Sequence, residues 1–186
     1  MKNEQPVVLK HRITATPQHN NTMILSQALA IAEKTKAELA PYCHRIEIAG
    51  SIRREKQHVK DIEIVAIPKP YETGIFAGGI TTVVNKWVKI KGELPCKYTQ
   101  RILPEGIKLD LFFAEPDNWG LIYAIRTGSA DYSHHRLAIG WVRQGYKSED
   151  GYLTKDGQRI PVPEETDLFN LIKLPFCHPR DRILPF

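Results

Sequence analysis

The sequence predicts an α+β fold: a mixed, twisted sheet backed by helices on one face, followed by a smaller α+β piece. Three observations carry that reading. Apolar residues recur at helical intervals over 22–39 and then give way to several short runs with period-2 alternation. Pro116-Asp117-Asn118 interrupts the pattern and divides the chain. Beyond it, helical and extended stretches mix within about 70 residues, too few to bury a generous core alone, so the second piece is expected to pack on the first.

The elements follow in order. Residues 1–21 are polar, with Pro6, Pro17 and Asn20-Asn21, and read as an N-terminal arm. Ile24, Leu25, Leu29, Ile31, Ala32 and Leu39 mark a helix over 22–39, ended by Pro41. Strands are expected at 45–49, 61–67, 82–91, 96–102 and 107–114, with a Gly-rich loop from Thr73-Gly74 to Gly78-Gly79. Asp117 or Asn118 caps a helix starting at Trp119. A further helix runs from Ser133 to Gln144 and closes near Gly145; short strands follow, then a helix over Glu165–Leu171. The expected division is an arm at 1–21, a sheet domain at 22–117 and a C-terminal domain at 118–186. Trp87, Trp119 and Trp141 read as packing residues.

Composition bounds the rest. The chain has 186 residues and a formal net charge of +5, which is compatible with a phosphate-rich partner without demanding one. No long uncharged apolar stretch suggests a membrane span, and Met1 to Pro6 lacks an apolar signal core, so cytoplasmic residence and no membrane partner are expected. Cys43, Cys96 and Cys177 are scattered and read as reduced structural thiols.

Chemistry concentrates in three carboxylates. Asp61 and Glu63 alternate with Ile62, Ile64 and Val65, so a strand projects both acids from one face. Asp110 lies in the run Lys108-Leu109-Asp110-Leu111-Phe112-Phe113, isolated among apolar neighbours. Two like charges about 4 Å apart repel by roughly 4 kcal/mol at an effective dielectric of about 20. A cation is therefore expected between them, and magnesium suits carboxylates and phosphate oxygens. Upstream, Gly50-Ser51 follows the apolar run Ile46–Ala49. Glycine permits close backbone approach, and a helix starting at serine turns N–H groups toward an anion. Arg53 and Arg54 add guanidinium forks that match phosphate oxygens. A phosphate cradle beside an acid pair points to metal-assisted phosphoryl or nucleotidyl transfer.

These residues resemble the palm of the nucleotidyltransferase superfamily: Gly-Ser-x-Arg-Arg, then Asp-x-Glu, then a strand-borne Asp. More narrowly, the chain resembles the family X DNA polymerases, the polymerase beta group. Trp119-Gly120 with Arg126-Thr127-Gly128-Ser129, the run Gly145 to Leu153, Asp167-Leu168-Phe169 through Leu174-Pro175-Phe176, and Pro179 to Arg182 continue the likeness in order. The resemblance runs from about residue 25 to the end and implies a palm followed by a thumb-like domain. It is to a minimal core like the short viral members, without the lyase domain or helix-hairpin-helix motifs of the repair enzymes.

The resemblance implies two Mg2+ ions, or Mn2+, bound by Asp61 and Glu63. Asp110 would hold the ion nearest a primer 3′-hydroxyl and help accept its proton. Ser51 and Arg54 would bind the triphosphate, with Gly50 giving close approach and Arg53 serving a structural or secondary phosphate role. Thr127, Gly128 and Ser129 would lie under the incoming sugar, with a cis peptide between Gly128 and Ser129. Ser133 and Arg136 fall on the helix facing the nascent base pair. Lys91, Lys97 and Arg101 either touch the nucleic-acid backbone or are solvated.

Two departures stand out. Glu63 replaces the more usual second Asp, and Ile125-Arg126 replaces a Tyr-Phe pair. Arg126 contacts substrate phosphate or template, or pairs with a local acid. The implied partners are a DNA primer-template and nucleoside triphosphates, and the implied state is a monomer. The implied activity is DNA synthesis in gap filling and repair or in viral replication. The alternative is nucleotidyl transfer to a non-templated, small-molecule or protein acceptor.

Overall fold

The computed structural model describes residues 22–70 and 78–184. The expected arm at 1–21 and most of the Gly-rich loop lie outside the described residues. The described chain opens with a short extended piece, β1 (Met23–Ile24), and the helix begins only at α1 (Leu25–Leu39). There follow β2 (Cys43–Ile48), a single helical turn α2 (Gly50–Arg53), the short β3 (His58–Val59) and β4 (Asp61–Pro68). Next come α3 (Gly79–Val84), β5 (Val88–Lys91), β6 (Tyr98–Ile102) and β7 (Lys108–Phe113). In the C-terminal part, α4 (Trp119–Thr127) precedes α5 (Ala130–Tyr132), a π-helical stretch over Ser133–Ala138 and α6 (Ile139–Arg143). A hairpin sheet, β8 (Lys147–Glu149), β9 (Tyr152–Lys155) and β10 (Gln158–Ile160), leads to α7 (Glu165–Leu171).

The main sheet has five strands in the order β2-β4-β7-β6-β5. β4 and β7 run parallel, and the other pairs are antiparallel, which makes the sheet mixed as expected. One face carries Ile62, Ile64, Leu109 and Leu111, packed against Ala28, Ala32 and Leu39 of α1 and Ile80, Val83 and Val84 of α3. The other face buries Val65, Ile67 and Phe112 under Trp119 and Tyr123 of α4. A further core, with Leu121, Leu137, Trp141, Leu153, Leu168 and Phe169, holds the C-terminal part together. All three tryptophans are buried. The three cysteines are free thiols.

The expected strand over 82–91 is corrected. Residues 79–84 are helical, and only Val88–Lys91 is extended. Ile80, Val83 and Val84 stand at helical spacing and bury against the sheet and α1, so tertiary packing overrides the β-branched preference of Val83 and Val84.

Buried ion pairs join the two parts. Arg53 donates from Nη1 to Glu165 Oε1 at 2.8 Å and from Nη2 to Oε2 at 2.6 Å, while its guanidinium lies 3.8 Å over the Tyr123 ring. Arg182, fully buried, grips the same Glu165 carboxylate. Burial pushes the Glu165 carboxyl up, but hydrogen bonds from Arg53 and Arg182 outweigh it and hold the group below its ordinary range. Arg45 adds a bidentate pair with Glu164 at 2.6 and 2.9 Å and lies over the Trp119 ring. At Gly120 a Cβ would stand 2.2 Å from the Glu164 backbone, so this crossing of α4 requires glycine. Removing one partner of a buried ion cluster strands the others, typically at about 3–5 kcal/mol. Glu165→Ala is expected to lose that much in urea unfolding, whereas Lys34→Ala, which breaks the exposed Lys34–Glu105 pair, should change stability by less than about 1 kcal/mol.

Candidate active site

The sheet register assembles the carboxylates. Parallel pairing sets Asp61 beside Lys108 and Glu63 beside Asp110, and antiparallel pairing sets Gln100 beside Asp110. Residues paired in register share a face, so Asp61, Glu63, Lys108, Asp110 and Gln100 all project together. Lys91 pairs with Gln100 and joins this face, with its ammonium 5.7 Å from the Tyr98 ring. The three acids named from sequence are brought together.

Asp110 is buried and accepts a hydrogen bond from the Tyr98 hydroxyl at 2.7 Å. Lys108 Nζ stands 3.1 Å from Asp61 Oδ2 and 3.1 Å from Asp110 Oδ2. Burial works against its charge, but hydrogen bonds to Asp110 and Asp61 outweigh it and raise its pKa. Burial, then the Asp61 charge, push the Glu63 carboxyl from 4.5 up to about 7; Arg54 and Arg126 pull the other way and Asp110 adds to the rise. Sequence reasoning missed Lys108 and Tyr98. Lys108 was detectable, because a residue two before Asp110 on a strand must share its face.

The cradle stands beside Glu63. Ala49 N–H donates to the Glu63 carbonyl at 2.8 Å, which ties the turn to β4. Gly50 has φ +61°, and a Cβ there would stand 1.9 Å from Glu63 Oε2. Close approach is therefore first to the carboxylate. α2 is a single turn, so its dipole is small; the polar groups here are side chains. Ser51 Oγ is buried and has no hydrogen-bond partner. Arg54 donates from Nη1 to the Thr127 carbonyl at 2.5 Å and is half-buried near Glu63 and Asp61. Arg53 faces the other way, into the Glu165 clamp, and donates to Thr127 Oγ1 at 2.6 Å. It is structural.

The remaining nominated residues divide. Thr127 is buried and held by both arginines. Ser129 caps the next turn, its Oγ accepting from Tyr132 N–H at 3.1 Å, and its own N–H donates to the Arg182 carbonyl at 2.9 Å. The expected cis bond between Gly128 and Ser129 is corrected: among the described residues the cis peptide is at Leu94–Pro95. Gly128 has φ −63° and ψ 154°, an ordinary extended link between two helices that a trans bond satisfies. Arg126 lies 4.0 Å over the Phe112 ring, and Phe112 stacks on Tyr98 with centroids 4.7 Å apart. Its charge faces Glu63 and Asp110, so of its alternatives the structure holds it near local acids. Ser133 Oγ donates to the Ile125 carbonyl at 2.8 Å, while Arg136, His134 and His135 are exposed. Arg101 is corrected: it is buried on the opposite face, donating to the carbonyls of Lys91, Gly92 and Gln100. Lys97 is exposed and pairs with Asp150.

A cleft of about 350 Å³ adjoins the site, lined among others by Tyr98, Phe112, Asn118, Ile122, Arg126 and Tyr152. Among the described residues, no three His, Cys, Asp or Glu side chains stand together as a ready-made metal cluster. The donor set nevertheless fits a divalent cation. Carboxylates suit a hard ion, Asp61 and Asp110 already share one ammonium, and Glu63, raised chiefly by burial and then by the Asp61 charge, projects from the same face. The partnerless Ser51 Oγ beside them suits an oxyanion.

The architecture is a polymerase beta-like fold. Among solved structures, Leishmania infantum polymerase beta in a ternary P/T complex is similar, with a TM-score of 0.66 and 15% identity, covering 88% of this chain and 77% of that one. No protein-family model and no curated protein matches the sequence. No helix among the described residues is long and apolar enough to cross a membrane.

The Glu63 environment sets a pH dependence. With its folded pKa raised from 4.5 to about 7, the native state without metal holds an extra proton between those values. Stability therefore falls as pH rises through that window and levels off above it. Relative to Glu63→Gln, the metal-free wild type should lose about 3 kcal/mol between pH 4.5 and 7.5 in denaturant titrations. A flat difference between the two proteins would contradict this.

Proposed function

We propose that this protein is a DNA polymerase of the family X type, adding nucleotides from nucleoside triphosphates to a primer 3′-hydroxyl with release of pyrophosphate. The observation that carries the reading is one face of a mixed sheet where Asp61, Glu63 and Asp110 converge beside the partnerless Ser51 hydroxyl. The fold likeness agrees with it. Two Mg2+ or Mn2+ ions held by Asp61 and Glu63, with Asp110 completing the one on the acceptor side, would supply charge neutralisation and activation of the attacking hydroxyl.

The chain's own residues supply the rest. Ser51 Oγ donates to a phosphate oxygen, and Arg54 faces the same oxyanions from its anchorage on Thr127. Asp110 accepts the acceptor proton, with the Tyr98 hydroxyl orienting its other oxygen. Thr127, Gly128 and Ser129 form the floor for the sugar. Lys91 and Arg136, both exposed, meet the nucleic-acid backbone. The sheet part, 22–117, acts as the palm and 118–186 as the thumb-like part of a monomer. Gap-filling repair or viral DNA synthesis suits such a core.

A second reading has one observation in its favour. Arg126 and Ser133, two of the four residues nominated for nucleic acid, are engaged within the chain. Transfer to a non-templated, small-molecule or protein acceptor needs neither. Primer extension on gapped and open templates separates the two. Template-directed incorporation with Mg2+ or Mn2+ supports the first, and incorporation indifferent to template supports the second. Asp110→Asn is expected to lower the rate about 100-fold or more, since it removes several kcal/mol of transition-state stabilisation. A folded wild-type protein that extends no primer with either metal would sink the polymerase reading.

A further inference from the structure

We propose that Lys108 is an internal counter-ion that closes the acidic site, so that its ammonium and a divalent cation are alternative occupants of one space. The inference rests on the metal-dependent reading above and concerns how that site is opened. Lys108 Nζ is equidistant, at 3.1 Å, from Asp61 Oδ2 and Asp110 Oδ2. A magnesium ion binds oxygens at about 2.0–2.1 Å, so an ion shared by these two carboxylates would lie closer to both oxygens than the ammonium does, in the gap that the ammonium now closes. Both cannot occupy it.

The placement is built into the strand. Lys108 precedes Asp110 by two residues on β7 and pairs in register with Asp61 on β4, so it must project among the acids. Among the described residues, Lys108, Arg54 and Arg126 are the cations whose charges act on these carboxylates. Arg54 is fixed to the Thr127 carbonyl, and the Arg126 guanidinium lies over the Phe112 ring. Lys108 is held by the two carboxylates on a flexible four-carbon stem and is half-buried, so it is the cation able to leave.

Two consequences follow. A divalent ion arriving alone must displace a charge-assisted contact and leave an ammonium without an anion, so it binds weakly. An ion arriving with a phosphate-bearing ligand brings the anion that the displaced Lys108 needs. Metal and triphosphate affinities are therefore positively coupled, and by linkage each raises the other by the same factor.

The test is Mn2+ binding, read from the loss of the free-ion paramagnetic signal, together with thermal unfolding with and without Mn2+. The chains are wild type, Lys108→Met, which keeps the stem, and Lys108→Gln, which keeps a polar tip. A Lys108→Met/Asp110→Asn double variant is the control. Both single variants are expected to bind Mn2+ about tenfold or more tightly than wild type, because a competing unit charge is gone. Both should unfold at lower temperature without metal, gain more on adding it, and show less dependence of Mn2+ affinity on added nucleoside triphosphate. The double variant should lose the gain. Unchanged or weaker Mn2+ affinity in a single variant that unfolds cooperatively overturns the proposal and leaves the metal reading intact. Absence of Mn2+ binding in every chain, with and without triphosphate, overturns both.

Discussion

Glu165 sits between two guanidiniums in the interior, and much of the candidate site hangs on that contact. Arg53 belongs to the turn after β2, Glu165 to the start of α7, and Arg182 to the C-terminal segment. A buried carboxylate beside one arginine is neutral; beside two the cluster carries a net positive charge, and Thr127 Oγ1 takes one of the further Arg53 donors. The geometry then propagates. Thr127 is gripped through its hydroxyl by Arg53 and through its carbonyl by Arg54, and Ser129 is tied to the Arg182 carbonyl. The cradle at Gly50–Arg54 and the turn at Thr127–Ser129 thus form one braced unit, although they are over 70 residues apart in sequence.

The acidic half is built on the opposite principle. Its carboxylates are placed by sheet register, which fixes the backbone but leaves like charges side by side. The relief comes from side chains of graded freedom: Tyr98 hydrogen-bonded to Asp110, Arg126 over an aromatic ring, Arg54 half-buried, and Lys108 on a flexible stem. A rigid cradle beside an adjustable charge cluster is what a site needs if anionic ligand and cation arrive together. Under the proposed function, pre-organised donors would receive a phosphate without reorganisation, and the charge cluster would rearrange as the cation enters.

How much of this was legible in the sequence depended on the range of the interaction. Period-2 alternation marked β4 and β7, and the Pro116 break marked the passage to α4, because these signals are local. The same-face placement of Asp61 and Glu63 followed from strand geometry alone. That Glu63 lies beside Asp110 did not follow, since parallel register depends on a crossover that local pattern cannot set. The helix at 79–84 was hidden because Val83 and Val84 favour strands until packing decides otherwise. The resemblance separated Arg53, as structural or a secondary phosphate contact, from Arg54, but the partner that holds Arg53, Glu165, lies 112 residues away and no local pattern names it. Arg101 looked like a surface cation because its partners are backbone carbonyls, which no sequence pattern reveals.

Glu63 shows how one methylene group is accommodated. The resemblance leads one to expect a shorter acid at this position, and the longer side chain carries its carboxylate up against the Gly50 backbone. Gly50, at φ +61°, has no room for a Cβ against the Glu63 side chain. Burial there raises the cost of the Glu63 charge, and Arg126 stands where it offsets that cost. An aromatic residue in place of Arg126 would supply no such charge. Arg54, and to a smaller degree Arg126, offset the Glu63 charge, so Glu63 and Arg126 face one another within the site.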